Sequence, residues 1–357
     1  MLTSELEYDL PSDRIATHPV SPRDTAKLMV VHRSTGDVSH RRVTDLPSLL
    51  QRGDVFVRNV TAVLAARLDG YRARLNGTGR GGGRVEGLFV SCLSGGRWRV
   101  LLKTGGRLRA GERVHLSESC SITLLEQAGR AWIVEPSSAD DAADLLDGCG
   151  LTPVPPYILK ARRARGEQVP DVDDRQWYQT CFADRGQRGS VAAPTAGLHV
   201  TPGVDLALQA AGIETVSVTL HVGEGTFQGV ESADLADHPM HAEQFHVDAA
   251  AMGQLREGPG PGGRLVALGT TTARLLESLP EGLPEGPLSA STDLLIAPGH
   301  RWRRVEGLLT NFHLPRSTLL ALVGAFVGME TLRSLYATAI EERYRFYSYG
   351  DAMLILP

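Results

Sequence analysis

A chain of 357 residues with 42% apolar, 22% charged and 6% aromatic residues can bury a core and is not a disordered protein. Its formal net charge of −4 excludes a globally basic nucleic-acid binder. Its longest apolar stretch, Leu319 to Gly328, falls far short of the roughly 20 residues a membrane span needs. The length suggests about two domains. Cys92, Cys120, Cys149 and Cys181 are widely spaced and form no CxxC pair, which argues against a zinc ribbon and for a reduced, cytoplasmic setting. The opening MLTSELEYDLPSDR is acidic and polar, unlike a signal peptide.

In chain order, the first patterned region is basic. Between Arg67 and Trp132, eleven Arg and one Lys stand against five acids, a local charge of +7. Short β-type runs recur there: Val85–Val90, Arg97–Lys103, Glu112–Leu116, Ser121–Leu125 and Ala131–Val134. Gly-rich turns such as Gly81-Gly82-Gly83 and Gly95-Gly96 separate them, so the sequence predicts a small antiparallel barrel or sandwich. Its arginines suit either RNA contact or a plain solvated face. Next, Ser138 precedes an Asp-rich helix over Ala139–Leu146, and Pro153, Pro155 and Pro156 mark a connection.

From Gly189 strands and helices alternate. The patterns predict strands at Thr215–Val222, Leu265–Leu268, Thr292–Ile296 and Arg304–Thr310. Helices are expected at Asp248–Glu257, Ala273–Leu279, Ser317–Val327 and Glu330–Glu342. Gly258–Gly263 and Pro280–Pro287 read as flexible surface loops. The fold class is therefore α/β. One α/β domain is expected from residues 1–61 and 151–357, with an antiparallel β domain inserted over residues 62–150.

Several segments carry more Gly, His, Thr and Asn than a core requires. Gly269-Thr270-Thr271-Thr272 sits between a strand and a helix, where backbone N–H groups meet the positive end of a helix dipole. That suits an anion, although an ordinary Thr cap gives the same pattern. His221-Val-Gly223-Glu-Gly225-Thr226 ends a strand with glycines that admit either a ligand or a tight turn. His199 in Pro194-Thr195-Ala-Gly197-Leu-His199, His221, and His313 beside Asn311 lie in apolar settings. One such histidine is usually a core residue; three beside Gly, Thr and Asn point to proton handling in a shared cleft. His238-Pro-Met-His241-Ala-Glu243 lacks the HExxH pattern, and Pro239 argues against two ligands on one helix face. No metal site is expected.

These segments, together with Tyr8-Asp-Leu-Pro11, Gly53-Asp54, Asn59, Thr61, Arg67-Leu68 and Tyr344-Arg-Phe-Tyr-Ser-Tyr349-Gly-Asp351-Ala-Met353, resemble the S-adenosylmethionine:tRNA ribosyltransferase-isomerase family of queuosine biosynthesis. The resemblance spans nearly the whole chain and is weakest from about Arg72 to Gly148. It implies a distorted, barrel-like α/β main domain carrying an inserted antiparallel β-barrel. It also implies a transferase that moves the ribosyl carbons of S-adenosylmethionine to the aminomethyl group of a 7-deazaguanine at a tRNA wobble position. Epoxyqueuosine forms, and adenine and methionine leave. S-adenosylmethionine is then a substrate, with no metal or further cofactor. His199, His221 and His313 are the candidate catalytic residues, with His221 or His199 as base. Asn59, Thr61, Arg67, Pro194, Thr195, Gly197, Gly223, Gly225, Thr226, Gly269, Thr270, Thr271, Asn311, Tyr349 and Asp351 are candidate substrate-binding residues.

The chain departs from the family pattern at Val60, Ala62 and Ala65, where an acid or amide, an arginine and a proline are usual, and at Glu224. Those departures keep two other readings open. One is a divergent relative that serves a small-molecule acceptor; the other is a non-catalytic RNA binder.

Overall fold

The computed structural model describes residues 1–73, 80–223, 225 and 229–357. Glu224 and the Thr226 named above lie outside the described residues. The first strands are β1 (Lys27–His32), β2 (Val38–Arg42), β3 (Val55–Asn59) and the two-residue β4 (Ala62–Val63). Next come β5 (Arg67–Ala73), β6 (Arg80–Cys92), β7 (Trp98–Thr104), β8 (Arg113–His115), β9 (Ser121–Ala128) and β10 (Ala131–Pro136). The later strands are β11 (Arg188–Ser190), β12 (Glu214–Leu220), β13 (Glu243–Val247), β14 (Leu265–Leu268), β15 (Leu288–Thr292), β16 (Gly307–Asn311) and β17 (Ala352–Leu356).

Strands from both flanks of the basic region form one nine-stranded sheet, in the order β15-β13-β12-β3-β14-β16-β17-β1-β2. β12, β3, β14 and β16 run parallel to one another. β17 is antiparallel to β16 and parallel to β1. Both faces of the sheet are covered, so its central strands read as continuous apolar runs rather than alternating ones. Every residue of β14, β16 and β17 is buried. Alternate side chains divide between two cores: Met29, Val31, Val55 and Val57 face one, and Leu28, Val30 and Phe56 face the other. The helices Thr318–Val327 and Met329–Glu341 cover the first core through Leu320, Val323 and Leu332. The helix Pro202–Ala210 covers the second through Val204 and Leu208.

The basic region closes into a six-stranded barrel, β10-β7-β6-β5-β8-β9, which leaves no free sheet edge. Trp98, Val100, Val114, Ile122, Leu124 and Val134 fill it. The chain leaves and re-enters at one neck, where Arg67 N donates to Leu151 O (2.9 Å) and Leu151 N to Arg67 O (2.8 Å).

The sequence placed most of these elements, with some differences. The Gly81-Gly82-Gly83 run is no turn but lies within β6. A Cβ on Gly82 would stand 2.7 Å from the Arg72 carbonyl oxygen, so close strand approach explains that glycine. The Asp-rich helix starts later, at Ala142, and its cap is Asp141, which accepts from Ala143 N; Ser138 bonds Asp140 instead. The expected strand Thr292–Ile296 is instead Leu288–Thr292. Pro156, read as part of a connection, opens the helix Pro156–Arg165, where proline suits the first turn. The Gly258–Gly263 loop is anchored rather than loose: Gly260 N donates to Gly53 O at 2.9 Å, and Arg264 clamps the fully buried Asp54 at 2.5 Å.

Candidate active site

Four parallel strands deliver their carboxyl ends to the same edge of the sheet. β3 ends at Asn59, β12 at Leu220 before His221, β14 at Leu268 before Gly269, and β16 at Asn311 before His313. Ligands of open α/β sheets bind beyond such ends. A cleft of about 380 Å³ lies there, lined among others by Pro194, Thr195, Gly225, Gly269, Thr270, Thr271, Asn311 and His313. Eight candidates from separate stretches of sequence therefore share one wall.

Gly269 adopts φ +91°, a left-handed value that a side chain would resist, and the helix Thr270–Ser278 begins immediately after it. The threonines lie inside this helix, one turn earlier than the pattern suggested. Its cap residue is Gly269, which has no side chain to serve the amino end, and first-turn N–H groups have no partner within the helix itself.

Asn311 organises the neighbouring part of the lining. Its Nδ2 donates to the Tyr347 carbonyl at 3.3 Å and lies 3.0 Å from His199 Nε2. A carbonyl only accepts, so the amide orientation is fixed and His199 Nε2 is the acceptor, with its proton on Nδ1. Asn311 Oδ1 accepts from Thr195 Oγ1 at 2.9 Å. Tyr347 itself sits at φ +73°, an uncommon conformation for a bulky residue. Burial, and then the nearby cations Arg23 and Arg345, push the His199 pKa down to about 4. Burial alone takes His313 to about 3. Its Nε2 lies 2.8 Å from Thr310 Oγ1, and its carbonyl accepts from Tyr8 Oη at 2.5 Å. Both imidazoles are neutral near pH 7.

His199 is therefore one hydrogen bond behind the cleft, and His221 is not in its lining either. His221 Nδ1 lies 2.9 Å from Thr61 Oγ1, which also contacts Ser190 Oγ at 2.8 Å. Burial lowers the His221 pKa. Asn59 clips β3 to β12: Nδ2 donates to Leu220 O and Oδ1 accepts from Leu220 N and Thr61 N. Arg67 donates to Thr152 O at the neck, and Gly197 packs against Phe182. Tyr349 donates to Asp174, which Arg162 grips with two bonds of 2.7 Å. Asp351 accepts from Lys27 N and Arg345 N. Asn59, Arg67, Gly197, Tyr349 and Asp351 thus hold the framework and do not line the cleft.

The sequence reading missed Arg274 and the aromatic wall of Tyr157, Phe312 and Tyr347. The Arg274 signal was its spacing, one helical turn after Thr270. Glu243, noted only in a rejected metal pattern, pairs with Arg274, and its Oε1 accepts from Gly223 N at 3.0 Å. His238 and His241 line the same cleft; among the described residues no group of three His, Cys, Asp or Glu is placed to hold a metal ion. Val60, Ala62 and Ala65 lie outside the lining, with Ala62 and Ala65 buried.

Residues 3–355 match a family model described as queuosine biosynthesis protein. The S-adenosylmethionine:tRNA ribosyltransferase-isomerase of Rhizorhabdus wittichii is 43% identical over 98% of each chain. That of Mesorhizobium japonicum is 44% identical, over 98% of this chain and 96% of its own. The crystal structure of S-adenosylmethionine tRNA ribosyltransferase from Thermotoga maritima is similar with a TM-score of 0.54 and 32% identity, over 99% of this chain and 100% of that one.

Proposed function

The chain belongs to the queuosine-biosynthesis family of S-adenosylmethionine:tRNA ribosyltransferase-isomerases, and we propose that the cleft between Gly269 and Asn311 is where it performs that family's reaction. The ribosyl carbons of S-adenosylmethionine pass to the aminomethyl nitrogen of a 7-deazaguanine at the wobble position of tRNA. The C1′–N bond to adenine and the C5′–S bond to methionine both break. The amine gains the carbon skeleton as an epoxycyclopentanediol, and one proton is released overall. In this reading S-adenosylmethionine is a substrate, no further cofactor takes part, and the setting is the cytoplasm, where tRNA is modified.

The observation that carries the proposal is the meeting in one cleft of the amino end of the Thr270 helix, an aromatic wall and Asn311, which is backed by the buried His199. Tyr157 and Tyr347 offer rings to a purine. The amino end at Thr270 suits the carboxylate of the methionine part. The sulfonium acidifies the C5′ protons, and a neutral imidazole can accept one. Of the three candidate histidines His313 lines the cleft, and it takes this role; His199 is a positioning residue acting through Asn311. The departures at Val60, Ala62 and Ala65 are away from the cleft, so nothing in its described lining favours a small-molecule acceptor. The barrel supplies exposed arginines, Arg107, Arg109 and Arg113, for the tRNA backbone.

The test is incubation with S-adenosylmethionine, with and without tRNA bearing 7-aminomethyl-7-deazaguanine, followed by chromatography of free adenine. Adenine should appear only when that tRNA is present. Failure to release it under those conditions overturns the assignment.

A further inference from the structure

Arg274 follows Thr270 by one turn of the helix Thr270–Ser278, so both residues face the cleft. Its side chain is 7% exposed. Nη2 donates to Glu243 Oε2, whereas Nε and Nη1 have no hydrogen-bond partner among the described residues. Neither does Thr271 Oγ1, three residues earlier on the same helix. A guanidinium presents its donors as a rigid fork, and burying some of them unmatched is costly unless a ligand takes them. Carboxylates are strong acceptors for such charged donors.

The charge of the site narrows the ligand further. Among the described residues, Arg274 is the one Arg or Lys in the lining and Glu243 the one Asp or Glu. The two neutralise each other, and Gly223 N holds the second carboxylate oxygen. A bare anion would leave this enclosed pair with a net negative charge. A carboxylate carrying an ammonium on the adjacent carbon would leave none.

We propose that Arg274 and Glu243 form a clamp for an α-amino-acid zwitterion. An unmatched donor of Arg274 and the Thr271 hydroxyl take the carboxylate, and Glu243 takes the ammonium. On the reading above, on which this inference rests, that zwitterion is the methionine end of S-adenosylmethionine. The clamp then selects the donor by a part of the molecule remote from the reacting C5′ and C1′ atoms. It also retains affinity for methionine once the C5′–S bond has broken, so methionine is a competitive product inhibitor.

The experiment compares S-adenosylmethionine with its decarboxylated analogue, in which only the carboxylate is missing, on unmodified enzyme with acceptor tRNA. Adenine release from the analogue should show kcat/KM lower by roughly 100-fold, carried mainly by KM. Arg274→Gln should lose a similar factor with S-adenosylmethionine and discriminate little between the two donors. Equal use of both donors by the unmodified enzyme overturns the clamp while leaving the ribosyl-transfer assignment standing. Adenine release from neither donor overturns both. The donor comparison needs no variant to fold, and circular dichroism checks Arg274→Gln. If the folded variant still prefers S-adenosylmethionine by the unmodified enzyme's factor, Arg274 is not the carboxylate's partner.

Discussion

Mild acid should destabilise this protein through two buried, hydrogen-bonded histidines. His199 and His313 ordinarily titrate near 6.5, and burial takes them to about 4 and about 3. Their folded values lie below the unfolded one, so the folded chain binds fewer protons between those limits. The stability they contribute is complete above about pH 6.5 and is lost as pH falls toward the folded values. Going from pH 7 to pH 5, protonation of the unfolded chain removes about 2 kcal/mol for each histidine, about 4 kcal/mol for the pair. Urea unfolding at the two pH values, on the unmodified protein and on His199→Gln, isolates one share. Glutamine still offers Asn311 Nδ2 an acceptor but does not titrate. Losses from His18, His221 and His238, whose pKa values burial also lowers, are common to both proteins and cancel. The variant should therefore lose about 2 kcal/mol less between pH 7 and pH 5. An unchanged loss would refute the account of His199 as a buried neutral imidazole.

Asn311→Leu keeps the branching at Cγ but strips Thr195 Oγ1, His199 Nε2 and the Tyr347 carbonyl of their partner. It should cost at least about 3 kcal/mol in chemical denaturation and abolish adenine release; a cost below about 1 kcal/mol contradicts the network. Asp54→Ala leaves Arg264 and the Gln51 amide facing a buried gap, and a loss of about 3–5 kcal/mol is expected from the same measurement. Replacing exposed Arg109 by Ala should lower the salt dependence of tRNA binding by about one unit of log–log slope, without altering the KM for S-adenosylmethionine. Titrations at several salt concentrations read both quantities.

The elements legible in the sequence were those with local punctuation. Leu265–Leu268 announced itself as an apolar run stopped by glycine, and the helices expected over Asp248–Glu257 and Ser317–Val327 formed, with Asp248 and Ser317 as their caps. β1, β3 and β17 carried weaker signals, because strands buried on both faces lose the alternation that marks a half-exposed one. The strand beginning at Leu288 was displaced because its Ser and Ala residues are less β-prone than the apolar run after Asp293. The motifs marked the cleft, yet several of their polar residues serve the framework behind it. Asn59 and Asp351 spend their side chains on backbone amides of neighbouring strands, a use that residue type alone does not separate from ligand binding. Arg274 escaped notice because its importance lies in which of its nitrogens are unmatched, a property of three-dimensional packing.

The position of β17 bears on how the chain comes together as it is made. Residues 352–356 fill the slot between β16 and β1, so the hairpin of β1 and β2 has no sheet to join until that stretch has been synthesised. The barrel faces no such wait. Its strands all lie between residues 67 and 136 and, apart from the Arg67–Leu151 bridge at the neck, pair with one another, so loop closure there is short and cheap. On a ribosome the barrel can therefore close while more than half of the chain is still missing. The hairpin of residues 27–42, already made by then, carries an unpaired edge through the remainder of synthesis.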